Sequence, residues 1–417
     1  MNVTALIACG CLSAAASLTI FVVASVQARA VERSPDRDRA HELRVLLRRL
    51  VRIPALTGGA AGGLCLALTN WPGAGTGGAA LTAVVILACV VLPIAAARRP
   101  VIAAYARTRG IPLKALRTSP RHLVTALAAV TLLGWPAAVA LAIGHAAVTE
   151  VAVLLACYVA VNPILLGLLA PVLAWALGAR ALPADAGQRV SALAGQAGVP
   201  VRGRMIPGRA RKLANAAQSG WLPGLRYVLI TDYLLDELTA TEAGAVVAHE
   251  LGHGFHHHVR IRQFRASVRM APFGVLVLAV AQQQPVLSVV GIVGLAGVLV
   301  TARRRGARAI RQELAADDLA ASLVGREALA AALERLTELN AIKRDTTLGW
   351  DRSVGHPGMA QRIARLRAGQ GSPGDAAPAG AAARPAALSA PGAPAAVSEA
   401  APAAATEPAW PGAENRS

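Results

Sequence analysis

The segment His249-Glu250-Leu251-Gly252-His253 concentrates residue types that can do chemistry. On a helix, positions i and i+4 project from one face. Two imidazoles placed in this way can share one metal ion. Glu250, one position along, can reach a water on that ion without ligating the ion. Zinc favours such nitrogen and oxygen donors in tetrahedral geometry, and a catalytic site keeps one position for water. The metal brings the pKa of that water to about 7 and polarises a carbonyl. Glu250 would take the water's proton and pass it to a leaving amine. The same spacing also occurs on surface helices carrying two solvated histidines. Here the motif follows Ala245-Val246-Val247-Ala248. That apolar approach argues for a buried helix, where unpaired His and Glu would be costly and a metal would satisfy them.

A third ligand has to come from elsewhere in the chain. Glu313, in Gln312-Glu313-Leu314-Ala315-Ala316-Asp317, is the candidate. Glu313 and Asp317 are again i and i+4 on an expected helix. Glu313 can bind the metal while Asp317 accepts the free N–H of a ligating histidine, which fixes its tautomer and orientation. The alternative is a solvated acidic face that also includes Asp318. Two further clusters receive plainer readings. His256-His257-His258 could capture a second metal, but a solvated helix end near a membrane surface is the preferred account. Asp232 and Asp236 read as caps or solvated residues beside a strand. Cys9, Cys11, Cys65, Cys89 and Cys157 lie in apolar stretches with no CxxC pair, so they read as small buried hydrophobes. No P-loop or GxSxG pattern occurs.

The elements that must position these residues can be read from periodicity. Residues 184–199 have helical spacing, and short β-like pieces follow at 201–206, 212–218 and 226–231. Thr239 with Glu242 forms a capping box that opens the helix carrying His249. Helical blocks are expected at 307–323 and 327–339. From about 367 to 417 the chain is rich in Ala and Pro, cannot bury a core, and reads as a disordered tail.

The composition places this unit at a bilayer. The 417 residues are 55% hydrophobic with a mean hydropathy of +0.49, and only 16% are charged, which excludes a wholly soluble or largely disordered chain. The net charge of +19 could suggest nucleic acid, but aromatics are only 3% and the basic residues sit at the ends of apolar runs. That placement reads as membrane topology, so a bilayer is the expected partner and nucleic acid is not. Apolar runs occur at about 4–26, 53–70, 80–97, 123–144, 149–177, 268–282 and 286–302. The sixth is short and carries Arg269, which also fits a partly embedded helix. Stretches 27–52 and 98–122 are dense in Arg, as is 303–308, whereas 71–79, 145–148 and 282–285 hold no Lys or Arg. By the positive-inside rule the basic loops are cytoplasmic. Seven spans then put the N-terminus outside, and residues 178–267 and everything after 303 in the cytoplasm. Ala28-Arg29-Ala30 resembles a signal cleavage site, but no basic region precedes the first apolar core.

With these motifs in order, the chain resembles the HtpX/CAAX-prenyl-protease family of integral-membrane zinc metallopeptidases. Asn215-Ala216, Gly220, Tyr227-Val228-Leu229-Ile230-Thr231 and Leu234-Leu235 resemble its lead-in strands, and residues 245–253 its catalytic helix. Glu313-Leu314-Ala315-Ala316-Asp317 resembles its ExxAD motif, and His356-Pro357 with Arg362-Ile363 a late element in which Gly355 and Gly358 depart from the pattern. The likeness covers about 185–366, and five spans before it with two after fit the CAAX-protease layout. It implies a mainly α, polytopic membrane protein with a cytoplasmic zincin-like α+β metallopeptidase domain. The expected organisation is five spans over 1–178, a peptidase unit over 179–366 interrupted by an apolar hairpin at 268–302, and the tail. The resemblance also implies one zinc ion held by His249, His253 and Glu313, with Glu250 as base and Asp317 orienting a ligand. It places His356 and Arg362 near the cleft as candidates to stabilise an oxyanion, and the Asn215 strand as the edge on which an extended peptide pairs. The expected substrate is a protein or peptide at the cytoplasmic face of the plasma membrane. Two other readings share the motif. One is a signalling protease of the BlaR/MecR type with a dedicated regulator as target, and the other is a non-enzymatic scaffold.

Overall fold

The structure is a computed structural model that describes residues 3–33, 39–47, 95–116, 121, 148–281, 284–302, 305–342 and 358–369. The apolar runs at about 53–70 and 123–144, nearly all of 80–97, His356 and the Ala/Pro-rich tail lie outside the described residues. The described residues are mainly helical around one small sheet. The first apolar run forms a helix over Val3–Arg33. The fifth forms helices Val148–Leu168 and Ala170–Ala176, and among the described residues Thr149–Ala176 is long and apolar enough to cross a membrane. The sixth and seventh form helices His258–Ala281 and Pro285–Ala302, which pack along each other, and His258–Ala281 also packs against Val148–Leu168. Asn162 in Val148–Leu168 donates to the Ser267 hydroxyl at 2.9 Å, a buried polar tie between apolar helices.

The sheet has the order β1-β3-β2. Central β3 (Tyr227–Thr231) is fully buried, parallel to β1 (Arg202–Ile206) and antiparallel to β2 (Ala216–Ser219). β2 is therefore an edge strand. Its segment is shorter than the expected 212–218 because Arg209–Arg211 forms a 3-10 turn and Lys212 takes a left-handed φ of 46°, which delays the extended run. On one face of the sheet a core gathers Val228 and Ile230 with Val190, Leu234, Val246, Val247, Leu251, Leu329, Leu333, Ile363 and Leu366. It binds together helices Ala184–Gln196, Ala240–Phe255, Arg326–Leu339 and Met359–Arg367. Helix Arg305–Val324 contributes Ala320 to it.

Local rules fix the ends of the central helix. Thr239 accepts from the Glu242 amide while the Glu242 carboxylate accepts from the Thr239 amide at 2.9 Å, so the expected capping box opens Ala240–Phe255. Asp232 takes the Gly208 and Arg209 amides at 2.6 and 2.7 Å, and Asp236 pairs with Arg209. Both acids therefore brace the turn beside β3.

Candidate metal centre

His249 and His253 sit on the inner face of Ala240–Phe255, and Glu313 projects towards them from Arg305–Val324. The two helices can meet so closely because position 252 is glycine. A Cβ there would lie 2.7 Å from the Ala316 Cα. Gly254 allows a second close approach, since a Cβ there would lie 2.6 Å from the Gln218 side chain on β2. The motif helix is thus seated between the Glu313 helix and the edge strand.

The resulting geometry is that of a ligand set. The ligand atoms of His249, His253 and Glu313 all lie within 4.8 Å of one another. His249 Nε2 is 3.6 Å from one Glu313 oxygen, and His253 Nε2 is 3.6 Å from the other. Tetrahedral ligands about 2.1 Å from a zinc ion stand about 3.4 Å apart, so the spacing suits such an ion. It is also too long for the donors to satisfy one another by good hydrogen bonds. The three side chains are 11–14% exposed, so the cluster is sheltered but reachable.

The opposite ring nitrogens are anchored. His249 Nδ1 lies 2.9 Å from Asp317, which is fully buried. Arg362 donates to both Asp317 oxygens at 2.8 and 2.6 Å and also lies 3.9 Å from Glu313. His253 Nδ1 lies 2.9 Å from Nδ1 of His258. His258 is buried, whereas a solvated helix end was expected, and of that triplet only His257 is exposed. Its pairing could not be read from spacing, because the chain turns a corner between residues 253 and 258.

The electrostatics follow from this wiring. Burial opposes charge on His249, but the hydrogen bond to Asp317 and the nearby Glu313 carboxylate outweigh it and raise its pKa to about 9. The pocket therefore demands a cation beside that ring, and a proton and a metal ion compete for the place. Burial, together with the charge on His249, lowers His253 to about 3. Burial and His256 lower His258 to about 4. Burial resists ionisation of Asp317, but Arg362 and His249 hold its carboxyl well below the usual range. Glu250 is raised by burial, partly offset by His249 and by the Gln218 amide, which donates to its Oε2 at 2.8 Å.

A cavity of about 310 Å³ opens over these groups, lined among others by Asn215, Gln218, His249, Glu250, Glu313 and Arg362. A second cavity, of about 420 Å³, shares Asn215, Ala217, Gln218, Val259 and Arg262 with it, so the two flank β2. Asn215 is tied to β3 by its carbonyl, which accepts from the Thr231 amide at 2.9 Å, and by its own amide, which donates to the Thr231 hydroxyl. The structure thus brings seven of the eight expected site residues to one place, and the eighth, His356, lies outside the described residues. Sequence reasoning missed His258 and the Gln218 amide.

A helix-borne HExxH facing a carboxylate on a second helix is the arrangement of a metallopeptidase. Residues 183–370 match Peptidase family M48, and this match, on top of the site geometry, identifies a metallopeptidase, a metal-dependent hydrolase of peptide bonds. The resemblance drawn from the motifs is borne out. The crystal structure of Ste24p from S. mikatae aligns with a TM-score of 0.59 at 15% identity, over 86% of this chain and 98% of that chain. That coverage exceeds the peptidase region, so the shared fold extends into the apolar helices. No curated protein matches the chain.

Proposed function

We propose that the chain is a membrane-embedded zinc endopeptidase that cleaves membrane or membrane-associated proteins at the cytoplasmic face. One observation carries the reading: two histidine Nε2 atoms and the Glu313 carboxylate converge at 3.6 Å on one cavity. His249, His253 and Glu313 would hold the ion, and zinc bound there supplies Lewis acidity, lowering the pKa of water and polarising the scissile carbonyl. Glu250 takes the proton of the attacking water and delivers it to the leaving amine. Its raised pKa suits a base that must also act as an acid. Asp317 fixes the His249 tautomer, and Arg362 holds Asp317. With both prongs committed to Asp317, Arg362 is better suited to positioning than to binding an oxyanion.

β2 supports an extended substrate. In an antiparallel ladder, amide groups point alternately towards the partner strand and away from it. The Gln218 amide points away, since it reaches Glu250, and Ala216 shares its phase. A peptide adding to this edge would run past Glu250, with side chains towards the flanking cavities.

The test is Glu250→Gln. The variant should retain zinc and lose cleavage of a casein-like substrate by about 10²–10⁴-fold. Equal cleavage by the two proteins would refute the reading. Trapping with the same variant, followed by mass spectrometry, would identify substrates. A single captured transcription regulator would favour the dedicated signalling protease over a general one.

A further inference from the structure

The two histidines of the centre are anchored in different ways. His249 Nδ1 faces a carboxylate, Asp317, whereas His253 Nδ1 faces another imidazole, His258 Nδ1, at 2.9 Å. We infer that His258 is a positioning residue of the metal centre, accepting a hydrogen bond from His253 Nδ1–H and so aiming His253 Nε2 at the ion. The inference rests on the metallopeptidase reading above.

Hydrogen-bond chemistry assigns the direction. Two Nδ1 atoms at 2.9 Å need one proton between them. His253 presents Nε2 towards Glu313, and a ring that offers Nε2 to a metal carries its proton on Nδ1. His253 is then the donor and His258 Nδ1 the acceptor, which leaves the His258 proton on its Nε2. A neutral imidazole here does the work that Asp317 does for His249. It orients the ring without adding a negative charge beside Glu250 and Glu313.

The backbone is built to make this contact. The motif helix ends at Phe255 and the next helix begins at His258. Between them His257 takes a left-handed φ of 54°, a conformation few non-glycine residues adopt. That corner folds the second helix back, so that its first residue covers His253. His258 is 7% exposed although it stands at a helix start beside exposed His257, and the His256 ring stacks on it with centroids 5.3 Å apart at an interplanar angle of 20°. A solvated helix end would need neither the corner nor the burial.

The experiment compares His258→Asn with His258→Leu in the full chain in detergent, measuring zinc affinity by competition with a chromophoric chelator. Asn places a carbonyl oxygen about where Nδ1 stands and can accept the bond, whereas Leu fills similar space and cannot. Partners of this kind are typically worth about 10–100-fold in metal affinity, so Leu should weaken zinc binding by about that factor while Asn stays within about threefold of wild type. A Leu variant that binds zinc as tightly as wild type, or an Asn variant as weak as Leu, overturns the inference. Should the Leu variant not fold, zinc-loaded wild-type chain labelled with ¹⁵N-histidine decides the matter. A proton on His253 Nδ1 and none on His258 Nδ1 is expected, and a protonated His258 Nδ1 overturns it. A wild-type chain that takes up no zinc at all would sink the metal-centre reading together with this one, a result distinct from the others.

Discussion

Arg362 and Asp317 show how much of this centre is spent on holding groups that do not react. Both are at least 95% buried, and the guanidinium meets the carboxylate with two hydrogen bonds. A buried pair of this kind is weak evidence for stability in itself, but breaking it leaves an uncompensated charge and costs about 3–5 kcal/mol. Asp317→Asn should therefore lower the stability of the metal-free chain by about that amount near neutral pH. The sign with pH follows from the direction of the shift. Asp317 titrates below its ordinary 3.8 in the folded chain, so its contribution is fully present above 3.8 and is lost as pH falls through the folded value. Thermal unfolding from pH 7 downwards should show the gap between wild type and Asp317→Asn narrowing below about pH 4. A gap unchanged at pH 3 would mean that the ion pair is not its source. The candidate site groups were legible in the sequence, because His249, Glu250 and His253 are related by helical spacing, as are Glu313 and Asp317. The grip of Arg362 on Asp317 across 45 positions was not, since no local period links them. His258 escaped for a related reason: the left-handed corner at His257 breaks the spacing that would have linked it to His253.

At the scale of elements, the site exists because two helices touch at their backbones. Gly252 makes this possible, with a virtual Cβ 2.7 Å from the Ala316 Cα and 2.9 Å from its carbonyl oxygen. In an exposed helix Gly→Ala would gain about 1 kcal/mol of propensity. Here the added methyl meets main chain, which cannot swing aside as a flexible side chain does, and overpacking costs about 1–3 kcal/mol. Gly252→Ala should therefore be net destabilising. It should also weaken metal binding, because relieving the clash moves Glu313 away from the histidines. Isothermal titration with zinc and a melting curve of the metal-free chain measure the two effects separately. A variant that gains stability and keeps full affinity would show that the helices are not seated on this glycine. The elements were easier to foresee than their contact. The capping box at Thr239 and Glu242 and the spacing over 307–323 and 327–339 carry their own signals, and the helices form there. The crossing point does not. A glycine inside a helical motif says that something approaches closely, but not that it is Ala316.

At the scale of the whole molecule, the distribution of apolar and basic residues bears on how the peptidase unit stands against the bilayer. Among the described residues, Thr149–Ala176 is the stretch suited to crossing it, and near its end Trp175 is 52% exposed with the Arg121 guanidinium 5.2 Å from its ring centroid. Trp prefers the interface, and Arg prefers its cytoplasmic side. The peptidase fold starts a few residues later, at Ala184–Gln196. The helix that follows the motif repeats this polarity. His258–Ala281 opens with Arg260, Arg262 and Arg265 and turns apolar towards its end. The next helix exposes Val286, Val289, Val290, Ile292 and Val293, side chains suited to lipid. Arg near a membrane centre costs about 2.5–3.5 kcal/mol per residue on the insertion scale, so the Arg-rich stretches 27–52 and 98–122 resist translocation while the uncharged 145–148 does not. The proposed cytoplasmic site has 145–148 outside, and the metal centre inside, close to the inner interface. In a chain stripped of its native cysteines, a membrane-impermeant maleimide applied to intact cells should label Ala146→Cys. It should reach Ser191→Cys, an exposed position on Ala184–Gln196, only after the membrane is opened. Labelling of Ser191→Cys in intact cells would place the peptidase unit on the outer side. The expected substrates would then be extracytoplasmic proteins, with the geometry of the centre unchanged.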